Sequence, residues 1–244
     1  MILIPARNEG PRIGRVICGV QAACPGVPVL VVANGCTDDT VAVARTHGAQ
    51  VVLSPPGYAT ALAAGYRAVV DMWNVAEASG PRWLVQLDAD GQHPPESIPD
   101  LLAGLERAEL VLGSRLVSGH SPDWMGARRW AVEGLGLWTS VLVGYRLRDV
   151  TSGFMGLSEP LVRHLAENFP VQVADANVLV QVHQAGFGMV EVPVVMSDRD
   201  GGESMHGGWR SIVYTAKMAA LCLRERSRRT QPVRADCAKG ALGG

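Results

Sequence analysis

Short, unbroken apolar runs alternate along the chain with stretches in which apolar residues recur every three or four positions. Ile2 to Pro5, Pro28 to Ala33, Gln50 to Leu53, Arg82 to Leu87 and Glu109 to Ser114 are runs of the first kind and predict buried strands. Ile13, Val16, Ile17 and Val20 repeat at helical spacing behind Asn8, Glu9 and Pro11. Val41 to His47, Ala59 to Glu77 and Glu96 to Ala108 predict the next helices. Strands and helices alternating at this interval imply parallel βαβ units with right-handed crossovers, a doubly wound α/β arrangement through about residue 115. Beyond it the Trp- and Gly-rich stretch Trp124 to Tyr145 is less regular and reads as helical. Val150 to Leu157 and Met189 to Met196 read as further strands flanking a helix from Asp175 to Ala185. In a last helix, Trp209 to Leu223, the apolar Ile212, Tyr214, Met218, Leu221 and Leu223 lie near Arg210, Lys217 and Arg224. One domain over 1–226 is expected, followed by a basic tail, 227–244, whose lack of an apolar period predicts disorder.

Composition narrows this picture. A chain of 244 residues with 48 % hydrophobic content and a mean hydropathy of +0.13 can bury a full core. A net charge of −1 argues against a general nucleic-acid binder, although from Arg224 onward six Lys/Arg face only two Asp/Glu. The five cysteines, Cys18, Cys24, Cys36, Cys222 and Cys237, form no CxxC pair and suit a reducing cytosol. Met1 leads directly into Ile2-Leu3-Ile4 without a charged leader, and Leu135 to Tyr145 is too short to cross a bilayer. A cytoplasmic protein without transmembrane segments, at most peripheral to a membrane, is expected.

The candidate chemistry gathers where the predicted strands end. Strand one runs into Ala6-Arg7-Asn8-Glu9, strand two into Asn34-Gly35-Cys36-Thr37-Asp38, strand three into Pro55-Pro56-Gly57-Tyr58, and strand four into Asp88-Ala89-Asp90. Carboxylates at i and i+2 beyond a strand can share a hard cation, Mg²⁺ or Mn²⁺, whose remaining positions go to substrate phosphates. By themselves they also fit a solvated turn closed by Gly91 and Pro94-Pro95. The loops of a parallel sheet converge on one crevice, and four such loops together favour a metal–diphosphate site over a turn. Neither GxGxxG nor GxxxxGK[ST] occurs, so dinucleotide oxidoreductases and P-loop enzymes are disfavoured.

Pro-Ala-Arg-Asn-Glu, Asn-Gly-Cys-Thr-Asp-Asp-Thr, Asp-Ala-Asp-Gly-Gln-His, Gly-Ser-Arg, Thr-Ser-Gly-Phe and Val-Pro-Val follow one another in this order between Ile2 and Trp209. The series resembles the family-2 glycosyltransferases of GT-A fold, and among them the polyprenyl-phosphate (dolichol-phosphate) mannosyl- and glucosyltransferases. The resemblance implies a Rossmann-like, mostly parallel sheet and a metal-dependent, inverting transfer of one sugar from a UDP- or GDP-sugar. It places Pro5, Ala6, Arg7 and Glu9 along the nucleotide, Asn34 and Asp38 near base and ribose, and Gly57 with Ala61-Leu62 beside them. Asp88, Ala89 and Asp90 become the donor motif, with Asp88, Asp90 and Gln92 on the metal, and Arg115 is placed to meet phosphate. Arg199, Gly202 and Ser204 match a mobile Arg-x-x-Gly-x-Ser loop over the site.

The chain departs from that pattern on both sides. Ala33-Asn34 stands where an acidic pair is usual, and Met205-His206 where a lysine follows the late serine, so a titratable imidazole replaces a phosphate-binding cation. Two acceptors remain open. A polyprenyl phosphate is the favoured one, with the Trp124–Tyr145 region and the last helix as lipid-facing surface. A hydroxyl of a soluble nucleoside or sugar intermediate is the other, and it needs a base, for which Asp175 is the candidate; Asp175 is equally well suited to cap its helix. Arg128 and Arg129 are candidates for an acceptor phosphate or for a solvated face. Asp149 and the Ser152-Gly153 segment either orient the acceptor or form a turn, and His93 is a weaker metal candidate than Gln92. Outside catalysis, a nucleotide-sugar-binding module without turnover fits the same motifs. A nucleotidyltransferase fits poorly, lacking a Gly- and Lys-rich first loop.

Overall fold

The protein is described from a computed structural model covering residues 1–76, 82–117, 127–196 and 209–227; the side chains of 127–131 and 209–214 lie outside the description. Seven strands form one sheet in the order β3-β2-β1-β4-β6-β5-β7: β1 (Ile2–Ala6), β2 (Val29–Asn34), β3 (Gln50–Ser54), β4 (Trp83–Gln86), β5 (Leu110–Ser114), β6 (Met155–Ser158) and β7 (Met189–Pro193). All pairings are parallel except those of β6, which runs against both β4 and β5.

Alternation along the strands decides which helix layer each residue meets. Ile2, Ile4, Val29 and Val31 face one apolar cluster, with Ile13, Val16, Ile17 and Val20 of α1 (Gly10–Ala23), Ala44 of α2 (Thr40–Thr46) and Ile98 and Leu101 of α4 (Ile98–Gly104). Leu3, Leu30 and Val32 face the other, against α3 (Tyr58–Val75), α6 (Glu159–Asn168) and α7 (Ala176–Gln184), onto which α5 (Ala127–Val143) and α8 (Trp209–Ser227) also pack. Gly65 lets α3 lie directly on β1: a Cβ there would come within 2.7 Å of Leu3 Cδ1.

The early strands and helices stand where their periodicity predicts, within a residue or two. The differences come later in the chain. The helix expected over Glu96 to Ala108 is a 3₁₀ turn, Pro95–Ser97, followed by α4, which stops where Gly104 meets Val111 of β5. The strand expected over Val150 to Leu157 begins only at Met155. Residues 149–154 turn instead, because Ser152 Oγ donates to Gly113 O (2.6 Å) and the Asp149 carboxylate is taken up by Arg115. Helix α6 was not foreseen, although Pro160 in its first turn and the buried Leu161, Val162 and Leu165 carry the signal. Both strands expected after residue 115 join the same sheet, β6 inserted antiparallel between β4 and β5 and β7 beside β5. Ser227, expected in the tail, closes α8, and the rest of the tail lies outside the described residues.

One buried polar link joins the helix layer to the sheet. Tyr66 of α3 donates to Gln86 Oε1 (2.6 Å), and Gln86 Nε2 donates to Gly153 O (3.3 Å). Tyr66→Phe leaves the Gln86 oxygen buried without a partner and is expected to cost about 1–3 kcal/mol, measured by chemical denaturation.

Candidate functional site

The loops after β1 and β2 are built as one unit. Asn8, at φ 54°, turns its side chain so that Oδ1 accepts from Thr37 N (2.8 Å), while Ala6 O accepts from Cys36 Sγ (3.3 Å). Asp38 accepts from the Gly10 amide (3.0 Å) and from the Thr40 amide and hydroxyl, and Thr40 Oγ in turn accepts from the Glu9 amide (2.8 Å). One carboxylate thus serves the first turns of both α1 and α2. Desolvation opposes its ionisation, but the Thr40 hydroxyl and the amides outweigh it and hold the Asp38 pKa below its usual value. Glu9 pairs with Arg12 (2.8 Å), Pro5 and Ala6 are buried, and Arg7 is exposed. The third loop is tied on by Asn34, whose Oδ1 accepts from Gly57 N at 2.6 Å. Gly57 sits at φ 141°, a conformation that favours glycine, and Gly35 lies so close to Pro56 that a Cβ would approach its ring to 2.6 Å.

Beyond β4, Asp88 is held through its main chain and its side chain. His93 Nδ1 accepts from the Asp88 amide (2.9 Å), and Tyr58 Oη donates to Asp88 Oδ1 (3.3 Å). Because Nδ1 accepts, the neutral ring carries its proton on Nε2, which faces Asp88 Oδ2 at 3.9 Å. Burial pushes the His93 pKa down in spite of the neighbouring Asp88 and Asp90 charges, and the ring stacks on Phe154 at 5.1 Å. Gly153 closes the other flank: a Cβ there would lie 2.7 Å from Asp88 Oδ2. Asp90 Oδ1 accepts from Gln92 N (3.1 Å), which folds Gln92 back over the motif. Tyr58 keeps 40 % of its surface open, and its hydroxyl reaches the motif. Burial, then the charge of Asp88 and further off that of Asp175, push its pKa well above the phenol value, so it stays a donor.

Next to this corner, Arg115 and Asp149 form a fork-to-fork pair. Arg115 Nε and one terminal nitrogen each reach Asp149 at 2.7 Å, and the Arg115 amide reaches it at 3.1 Å. Asp149 is fully buried, and Glu191 of β7 fixes the turn by accepting from the Arg148 and Asp149 amides (2.9 and 2.8 Å). Asp175 caps α7 by accepting from Ala176 N (2.9 Å), and Ser152 is buried under Gly113.

The structure therefore brings Asp88, Ala89, Asp90 and Gln92 together with Gly153, Tyr58 and His93. It joins Asn34 to Gly57 and Asp38 to the Glu9 loop, and it gives Arg115 a carboxylate partner that the sequence did not announce. Tyr58 and the orienting part of His93 were also missed; the only local signal was their position beside motif residues. Arg199, Ser204 and His206 lie outside the described residues, as does the side chain of Arg128. Among the described residues no group of three or more His, Cys, Asp or Glu is placed to hold a metal ion alone.

Glycosyl transferase family 2 matches residues 1–165. Polyprenol monophosphomannose synthase of Mycolicibacterium smegmatis is 28 % identical, over 96 % of this chain and 90 % of that protein. Undecaprenyl-phosphate mannosyltransferase of Micrococcus luteus is 29 % identical, over 85 % and 88 %. Among solved structures, glucosyl-3-phosphoglycerate synthase of Mycobacterium tuberculosis, in complex with Mn²⁺, UDP and glucosyl-3-phosphoglycerate, superposes with a TM-score of 0.63 at 21 % identity. That alignment covers 92 % of this chain and 78 % of the other, and it shows the GT-A fold.

Asp149→Ala strands the Arg115 guanidinium beside a buried void. Loss of one member of a buried pair costs about 3–5 kcal/mol, so a clearly lowered melting temperature is expected, with Asp149→Asn intermediate.

Proposed function

The chain belongs to Glycosyl transferase family 2, and on that premise we propose that it moves a single sugar from a UDP- or GDP-sugar to polyprenyl phosphate, with inversion. The relatives named as polyprenyl-phosphate mannosyltransferases support this choice of acceptor. A divalent cation, Mg²⁺ or Mn²⁺, fits the donor side. The set offers two carboxylates at a strand end and a glycine flank that leaves room beside Asp88, so diphosphate oxygens can complete the shell. When bound, the cation neutralises charge on the leaving diphosphate. Asp88 and Asp90 would hold it, and Gln92 would add an amide oxygen. Pro5, Ala6, Arg7, Glu9, Asn34, Asp38 and Gly57 surround the nucleoside. Arg115, oriented by Asp149, brings positive charge to the phosphate side. An acceptor phosphate oxygen, already anionic, attacks the anomeric carbon while the bond to the diphosphate oxygen breaks and its electron pair leaves with the nucleoside diphosphate.

The observation that carries the lipid acceptor is an open apolar wall beside this corner. Leu137 and Val141 of α5 are 69 % and 68 % exposed and border a groove of about 890 Å³. Leu116, Tyr145, Arg146 and Arg148 also line it, and Leu116 and Arg148 adjoin Arg115 and Asp149 in the chain. Apolar side chains rimmed by two arginines and by Glu133 suit an isoprenoid chain whose anionic headgroup lies at the arginine end. No helix among the described residues is long and apolar enough to cross a membrane.

Incubation with UDP- and GDP-sugars, Mn²⁺ and vesicles containing polyprenyl phosphate is expected to yield the lipid-linked monosaccharide, and a chelator to abolish it. Val141→Glu should lower that transfer roughly tenfold or more while nucleotide binding persists. No lipid-linked product with any donor would overturn the acceptor reading.

The position of Asp175 favours a second reading. Its charge reaches Tyr58, close to the metal corner, where a base for a hydroxyl acceptor would be needed. Asp175→Asn should leave transfer to a phosphate nearly unchanged, but lower turnover on a hydroxyl acceptor about 100-fold or more.

A further inference from the structure

Asp88 carries one end of the proposed cation site, and its side chain is a third exposed, at 34 %. Among the described residues the Tyr58 hydroxyl is the only donor within hydrogen-bond distance of that carboxylate. The His93 bond is made to the Asp88 main chain, and His93 Nε2 stands off at 3.9 Å. Main-chain anchoring leaves the carboxylate free to rotate about its two side-chain bonds. Gly153, having no Cβ, leaves the Oδ2 side open, where a Cβ would lie 2.7 Å from that oxygen. Tyr58 restrains the other oxygen.

The phenol is itself held from several sides. Tyr58 opens α3, and the preceding Gly57 is fixed to the end of β2 by Asn34 (2.6 Å). Pro56 packs on Gly35, and Thr60 Oγ1 reaches Val171 O at 3.5 Å. A rigid ring on an anchored loop gives its hydroxyl a defined place with only two torsions to order. We infer that Tyr58 is a positioning residue for the cation site: its hydroxyl sets the plane of the Asp88 carboxylate and makes the β3–α3 loop part of the metal-binding unit. This rests on the reading of Asp88 as a cation ligand. Its physical basis is that a ligating carboxylate hydrogen-bonded from outside binds metal roughly 10- to 100-fold better than an unsupported one.

The test is calorimetric titration of Mn²⁺ into the full chain saturated with UDP or GDP, for wild type, Tyr58→Phe and Tyr58→His. Tyr58→Phe keeps the ring and removes the donor, whereas Tyr58→His restores a donor. The inference expects Tyr58→Phe to weaken Mn²⁺ binding about tenfold or more, with an unchanged metal-free melting temperature and unchanged nucleotide binding in chelator. Tyr58→His should recover part of the loss. Unchanged Mn²⁺ affinity in Tyr58→Phe overturns the inference alone. Tighter Mn²⁺ binding also overturns it, because the phenol would then compete with the cation. A wild-type protein that binds Mn²⁺ with neither nucleotide overturns the donor-site reading, and the role of Tyr58 with it.

Discussion

An antiparallel strand enters this sheet at the edge where its parallel neighbours leave it. β6 lies between β4 and β5, so the turn preceding it, residues 149–154, arrives at the C-terminal ends of both. Had this position been filled by another parallel strand, its entry turn would lie at the opposite edge. The antiparallel run instead brings Asp149 to Arg115, Ser152 to the Gly113 carbonyl, Gly153 to Asp88 and Phe154 to His93. Those contacts join the Asp88 corner to the Arg115 corner, which share little else.

Each carboxylate around this edge has its own donors, and the differences sort their roles. Asp38 serves the amides of two helix starts, Asp149 is enclosed by a guanidinium, and Asp175 caps α7. Asp88 has a single weak phenol bond on a side chain open to the cleft, and Asp90 holds the amide of Gln92. Among these carboxylates, the Asp88 side chain is a third exposed to the cleft. The Arg115–Asp149 pair limits what the arginine offers, since two of its donor nitrogens already face a carboxylate.

The strand ends that bear motifs were legible because each motif sits directly after a β-branched run whose burial is a local property. Ile13, Val16, Ile17 and Val20 share a face by helical spacing alone, and they are buried on one side of α1. The later chain was harder to read. Residues 150–154 have the composition of a strand, but distant partners claim their hydrogen-bonding groups, Arg115 for Thr151 and Gly113 for Ser152. Helix α6 is short, with a charged outer face, and its apolar positions were masked by the expected run of β6 before it.

The sequence alone determined the order of elements as far as β5, the parallel core of the sheet, the Asp88-Ala89-Asp90 motif at a strand end and the resemblance to a glycosyltransferase family. Each element and each motif depends on neighbours within a few positions, and the family on the order of the motifs along the chain. Tertiary structure alone decided that Tyr58 holds Asp88, that His93 uses its Nδ1 on a main-chain amide, and that Asp149 fills the fork of Arg115. The partners in the first and last of these contacts stand 30 and 34 residues apart. Their meeting depends on strand order and on the direction of β6, which follow from how the two apolar faces of the sheet are covered rather than from any local pattern.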